Sequence, residues 1–141
     1  MATGIYLANN VGVKVASVDL SAYVTSVTLN RQFDELEVTA MGDTGHKFLK
    51  GLESSSVTIE FLNDMTAGKV MSTLQTAWGS TTTVVLLQDK SLAVSATNPL
   101  YTFSVLVNGT TDVMGGSDIG KQSVTWNVIG STGTPATTGT F

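Results

Sequence analysis

Few side chains in this chain can carry acid–base or ligand chemistry: one His and eleven Asp or Glu. A Ser-His-Asp arrangement would have to rest on His46. That residue lies between Gly45 and Lys47, a setting that reads as an exposed loop. Asp34, Glu35 and Glu37 form the densest acid cluster. Paired carboxylates of that kind perform glycoside hydrolysis when they face each other across a cleft, but a cluster beside a turn also suits a solvated strand face. The run Asp112 to Asp118 resembles a calcium loop without the ligand spacing of an EF-hand. There is no Cys, and one His without thiolates cannot build a zinc site. No GxxxxGK[ST] phosphate loop appears. Asn108-Gly109-Thr110 matches a glycosylation sequon, and the N-terminus lacks the basic start and apolar core of a secretory signal. These residues predict no enzyme, no metal and no cofactor.

The elements around them are more informative. Apolar residues make up 42 % of the 141-residue chain and charged residues only 13 %. Ser and Thr fill roughly a quarter of it, and Val is the commonest aliphatic. Thr and Val suit a pleated surface. The length fits one domain with a sizeable core, and no apolar run reaches the ~18 residues of a membrane helix. A formal charge of −4 argues against a free nucleic-acid-binding module, which is usually basic. A surface poor in charge is also easily desolvated, so assembly with further subunits is expected.

Alternation marks the strands. Thr25, Val27 and Leu29 share one face of Val24 to Asn30. Leu36, Val38 and Ala40 oppose Glu35, Glu37 and Thr39. Val57, Ile59 and Phe61 alternate with Ser56, Thr58 and Glu60. Tyr101, Phe103, Val105 and Val107 share a face, as do Val124, Trp126 and Val128. Thr83 to Gln88 is apolar throughout and predicts a strand covered on both sides. Val11 to Val18 is a weaker candidate. From Thr66 to Trp78 the spacing of Val70, Met71, Leu74, Ala77 and Trp78 predicts an amphipathic helix, with Asp64 or Thr66 as N-cap and Gly79 as terminator. Trp78 and Trp126 both read as buried.

Gly42 to Ser55 reads as a loop longer than a hairpin needs, and such loops are usually functional or disordered. It carries Phe48, Leu49 and Leu52 beside Lys47 and Lys50. The expected fold is mainly β: a β-sandwich or partly closed barrel of about seven strands with one packed α-helix. It forms a single domain over residues 1–130, followed by a flexible tail over 131–141.

The run Asp19 to Asp64 resembles the major tail tube proteins of long-tailed bacteriophages. Asp19-Leu20-Ser21-Ala22-Tyr23-Val24 looks like the family's entry into its first long strand. Glu37 to Thr44, with His46 and Phe48 following, is similar to the next strand and long loop. Gly51-Leu52, Ser56 to Ile59 and Phe61 look like the return strand. Asn98 to Tyr101, Trp126 and Gly130 fit further on, so the likeness covers most of residues 10–130.

The resemblance implies a structural virion protein. Six subunits would close into a ring whose inner sheets join as one barrel, and rings would stack into a tube for DNA. Asp43, His46, Lys47, Phe48, Leu49 and Leu52 would then belong to an inter-ring loop. Glu35, Glu37 and Glu60 are the candidates for an acidic bore that repels phosphate. Implied partners are further copies of the chain, a tape measure protein, tail terminator and distal tail proteins, and DNA passing without specific binding. No membrane is involved, and the implied location is the virion tail, assembled in the host cytoplasm. The alternatives are another virion β-protein, such as a head-decoration or head–tail joining subunit, and a carbohydrate-binding sandwich.

Overall fold

A computed structural model describes residues 7, 9–116 and 119–141. In chain order the elements are β1 (Gly12–Val15), β2 (Val18–Asp19), a 3-10 turn (Ser21–Tyr23), β3 (Val24–Asn30), β4 (Phe33–Glu37) and β5 (Phe48–Glu53). They are followed by β6 (Ser56–Leu62), α1 (Val70–Ala77), β7 (Thr81–Leu87), β8 (Leu100–Leu106), β9 (Thr111–Val113) and β10 (Lys121–Asn127). Two four-stranded antiparallel sheets, ordered β2-β1-β7-β8 and β3-β6-β10-β9, form the body, and β4 and β5 form a separate two-stranded ribbon.

The alternating strands build the core. Val57, Ile59 and Phe61 of β6 and Val124 and Trp126 of β10 turn inward from one sheet. Val13, Val15, Val84, Leu86, Phe103 and Val105 meet them from the other. This is the packing of two sheets through their apolar faces. The Trp126 indole donates to the Gly109 carbonyl at 3.1 Å, so the largest core side chain leaves no polar atom unpaired.

Along one side the two sheets are stitched together. Val128, just past β10, donates its N–H to the Ser55 carbonyl at 2.9 Å, and Ile129 donates to Ser104 of β8 at 2.8 Å. On the opposite side a cleft of about 990 Å3 separates β3 from the other sheet, lined by Val24, Val27, Leu29, Leu86 and Tyr101 among others. The body is therefore a sandwich joined along one margin, not a barrel.

Several expectations need correcting. In β3 a bulge between Val24 and Ser26 rotates Thr25 outward, so Val24 joins Val27 and Leu29 against the core. The extra residue shifts the face by one position, as bulges do. The helix is shorter than predicted. The Asp64 carboxylate accepts from the Thr66 N–H at 2.9 Å in a local turn rather than capping α1, and Gly68 takes a left-handed φ of 77°. Helical geometry begins only at Val70. Trp78 lies past the end of α1 and is 62 % exposed, so only Trp126 is buried. In β7, Val84, Leu86 and Leu87 are buried while Thr83 is exposed, so cover on both sides is limited to the strand's end. Gly42 to Ser55 is not a continuous loop, because β5 occupies its second half. Leu36, Val38 and Ala40 do alternate with the acids but are not buried. β9 has no counterpart in the predicted strands.

Residues 131–141, expected to be a flexible tail, lie along the body. Ala136 exchanges two backbone hydrogen bonds with Leu100, at 2.8 and 2.9 Å, which ties the tail to the first residue of β8. Phe141 places its ring beneath the ammonium groups of Lys14 and Lys90, 4.4 and 5.6 Å from the ring centre.

Candidate functional site

The most unusual surface is the β4–β5 ribbon. Glu35 lies opposite Lys50, Leu36 opposite Leu49 and Glu37 opposite Phe48. Opposite residues in an antiparallel pair share a face, so one face carries Leu36 and Leu49 and the other Glu35, Glu37, Phe48 and Lys50. Every residue of β4 is exposed. Leu36 is 53 %, Phe48 54 %, Leu49 59 % and Leu52 80 % exposed, and Phe33, Val38 and Met41 are also open to solvent. A two-stranded ribbon with both faces wet is marginal in water. A cluster of exposed large apolar side chains marks a contact surface.

The tip of the ribbon is ordered by its own polar groups. Val38 donates its N–H to the Lys47 carbonyl at 2.8 Å, one step past the β4–β5 ladder. The Asp43 carboxylate accepts from the Ala40 N–H at 2.7 Å and pairs with the Lys47 ammonium at 2.7 Å. The Lys47 contact and then the Ala40 N–H hold the Asp43 carboxyl below the usual carboxylate range. Glu37 meets His46 Nδ1 at 2.6 Å and accepts from the Thr39 hydroxyl at 3.1 Å. His46 thus faces a carboxylate rather than a nucleophilic hydroxyl, and it is exposed. Asp43, His46 and Lys47 shape the turn, while Phe48, Leu49 and Leu52 lie on β5.

The base of the ribbon is fastened to the tail. Glu53 accepts from the Ser55 and Ser131 hydroxyls at 2.7 Å each, from the Thr132 N–H at 2.7 Å and from the Thr132 hydroxyl at 2.9 Å. These bonds, led by the Thr132 N–H, pull its pKa down to about 2. Arg31, on the opposite strand's approach, donates Nε–H to Thr132 Oγ1 at 2.9 Å and Nη2–H to the Gly133 carbonyl at 3.0 Å. Arg31, Glu53 and Thr132 were invisible as a group in the sequence.

The second surface is the outward face of sheet β3-β6-β10-β9. Its rows, read from the register, are Ser26-Glu60-Ser123-Thr111, Thr28-Thr58-Thr125 and Asn30-Ser56-Asn127. These three rows are hydroxyl and amide apart from Glu60, and a fourth outward row beside them carries Lys121, Leu62 and Val113. Of the three acids singled out for a bore, Glu60 alone lies here. Glu35 and Glu37 stand on the ribbon. The sheet ends in β3 on one side and β9 on the other, and seven-residue β3 offers a full row of backbone groups for pairing.

Among the described residues no group of three His, Asp or Glu side chains converges as a metal site. Asp34, Glu35 and Glu37 lie along an exposed strand rather than across a cleft. In the Asp112 region one Asp112 carboxylate oxygen is buried without a partner, and Asp118 lies outside the described residues.

These features define a mainly β fold of two sheets, a two-stranded ribbon and one helix. No family model and no curated protein matches the chain. The fold is similar to a chain in the virion of a native gene transfer agent particle, with a TM-score of 0.73 at 8 % identity, covering 96 % of this chain and 100 % of that one. It is also similar to a chain in the tail of an empty gene transfer agent particle of C6 symmetry, with a TM-score of 0.58 at 9 % identity and 83 % of each chain covered. At such identities the likeness is one of fold.

Proposed function

We propose that this chain is a structural virion protein that assembles into stacked rings forming a tail tube, and that it makes no covalent change to any substrate. The β4–β5 ribbon carries this reading. It is a projecting hairpin whose apolar side chains stay wet in the lone subunit and are dry only against another one. The likeness in fold to chains of gene transfer agent particles, one from a tail of C6 symmetry, supports it.

Two contacts follow from the geometry. In sheet β3-β6-β10-β9 all neighbours are antiparallel, so β3 and β9 run in opposite directions. A neighbour's β9 can therefore add to β3 in the antiparallel sense, and repetition around an axis closes a ring without free margins. The ribbon makes the second, axial contact, which does not close and so propagates a filament. The hydroxyl and amide face, with Glu60, then lines the bore. Its three hydroxyl and amide rows hold no cation for phosphate to exchange with, and Lys121 in the outermost row is the one basic group on these four rows. Tape measure, terminator and distal tail proteins would meet the tube's interior and ends.

Negative-stain microscopy of the purified protein tests the reading. Tubes of uniform width are expected. Discrete rings or trimers that never stack would favour a head-decoration or head–tail joining role. A monomer at high concentration that binds glycans, with Trp78 as an exposed ring, would replace it with carbohydrate binding.

A further inference from the structure

We propose that Glu53, Arg31 and Thr132 are positioning residues that lock the ribbon at one angle to the body, making the C-terminal segment the strap of the axial contact. The inference rests on the ribbon's being that contact.

The ribbon continues from β3 through Asn30 to Gln32 and returns to β6 through Ser54 and Ser55. Across this neck the Ser54 N–H to Gln32 carbonyl bond at 2.8 Å sits between the Asn30–Ser56 pair of the sheet and the Phe33–Glu53 pair of the ribbon, and the Ser55 carbonyl accepts from Val128 N–H at 2.9 Å. A two-stranded connection of this kind still bends and twists. The side chains at the neck restrain it further. Arg31 on one strand and Glu53 on the other both bond Thr132, whose hydroxyl accepts from the guanidinium and donates to the carboxylate. Thr132 is 4 % exposed, so the shared hydroxyl itself is buried, while the Arg31 side chain stays open to solvent. Bonds to ionised groups are shorter and stronger than neutral ones, and here two ionised groups from two strands share a single residue.

The strap itself is anchored twice more. Ala136 pairs with Leu100, and Phe141 covers Gly12 so closely that a Cβ there would lie 3.0 Å from the ring. A neck fixed only to its own strands can swing. A neck tied to a segment that is itself tied to β8 and β1 cannot swing without breaking charged hydrogen bonds. Docking then starts from an ordered arm and avoids the entropy of ordering it at the moment of contact.

The absence of native Cys allows the test by paired spin labels at Thr44→Cys on the tip and Ser123→Cys on the body, diluted with unlabelled protein. The unaltered neck should give one narrow tip-to-body distance. Thr132→Val, which removes the shared hydroxyl but keeps the shape, and Arg31→Ala, as an independent variant, should each broaden it. Thr132→Ser should restore it. Rings should persist in both variants while tubes are lost. An unchanged distance distribution in both variants would overturn the strap, whatever the tubes do. A broadened distribution with undiminished tube formation would leave the ribbon mobile and yet uninvolved in stacking. That outcome would overturn the axial reading instead.

Discussion

Replacing Leu36 and Leu49 with Ser should separate folding of the subunit from stacking of rings. The two side chains lie opposite each other on one ribbon face, 53 % and 59 % exposed. Complete burial of a Leu contributes ~1.5–3 kcal/mol. Roughly half of that remains to be gained on docking, or ~0.75–1.5 kcal/mol for each residue. A ring of six would lose ~9–18 kcal/mol at each stacking interface before ordering costs are subtracted. Even if ordering halves the figure, the loss is several powers of ten in the equilibrium for adding a ring, since each 1.4 kcal/mol is about tenfold. The subunit's own stability should fall far less, because the ribbon contributes nothing to the buried core. Pelleting and electron microscopy over a concentration series would read the critical concentration, and thermal melts would read the fold. Tubes at an unchanged critical concentration would refute the reasoning. The companion variant Phe48→Ser probes the opposite face, so the comparison also shows which face meets the neighbour.

Three further outcomes are expected. Glu60→Lys should leave tubes intact but make them retain DNA, with binding that falls steeply as salt rises; tubes that stay inert to DNA would place Glu60 away from the bore. Glu53 has a folded pKa of about 2 against an ordinary 4.5, so its contribution is complete above about 4.5 and is lost as pH falls toward 2. Urea melts of the native protein and Glu53→Gln should therefore converge across that window, and a constant gap would contradict the assignment. The β1–β2 turn holds Ala16 and Ser17 at φ of 51° and 68°, which disfavours ordinary side chains. The double substitution Ala16→Asn with Ser17→Gly installs the Asn-Gly pair that such turns prefer. It should stabilise the fold by about 1 kcal/mol, read as a melting rise of ~3–5 °C.

The sequence made the two-sheet core legible where a strand's two faces have unlike neighbours. Ser56 to Leu62 is the clearest case: Val57, Ile59 and Phe61 all point inward as their spacing requires. The same signal misled at Leu36, Val38 and Ala40. Alternation reports that a strand has one apolar face, but not whose core that face belongs to. A side chain kept apolar for a neighbouring subunit looks identical to one kept apolar for its own. β5 was hidden for another reason, since Phe48-Leu49-Lys50-Gly51-Leu52-Glu53 does not alternate, and its strand character comes from pairing with β4.

The C-terminal segment shows the complementary gap. Its Gly, Ser and Thr content has the signature of a linker, and nothing local argues for order. Its partners are far along the chain: Glu53 is 79 residues from Thr132, and Arg31 is 101. Only the sandwich brings them together, because β3 and β6 lie side by side and the exit from β10 passes their ends. If the ribbon's exposed apolar side chains make the proposed axial contact, its own hydrophobic burial cannot hold it in place. It must be held by polar bonds at its root, and a charged pair sharing one shielded threonine does this without covering the docking face. On this view the exposed leucines and the low-complexity tail are two halves of one device.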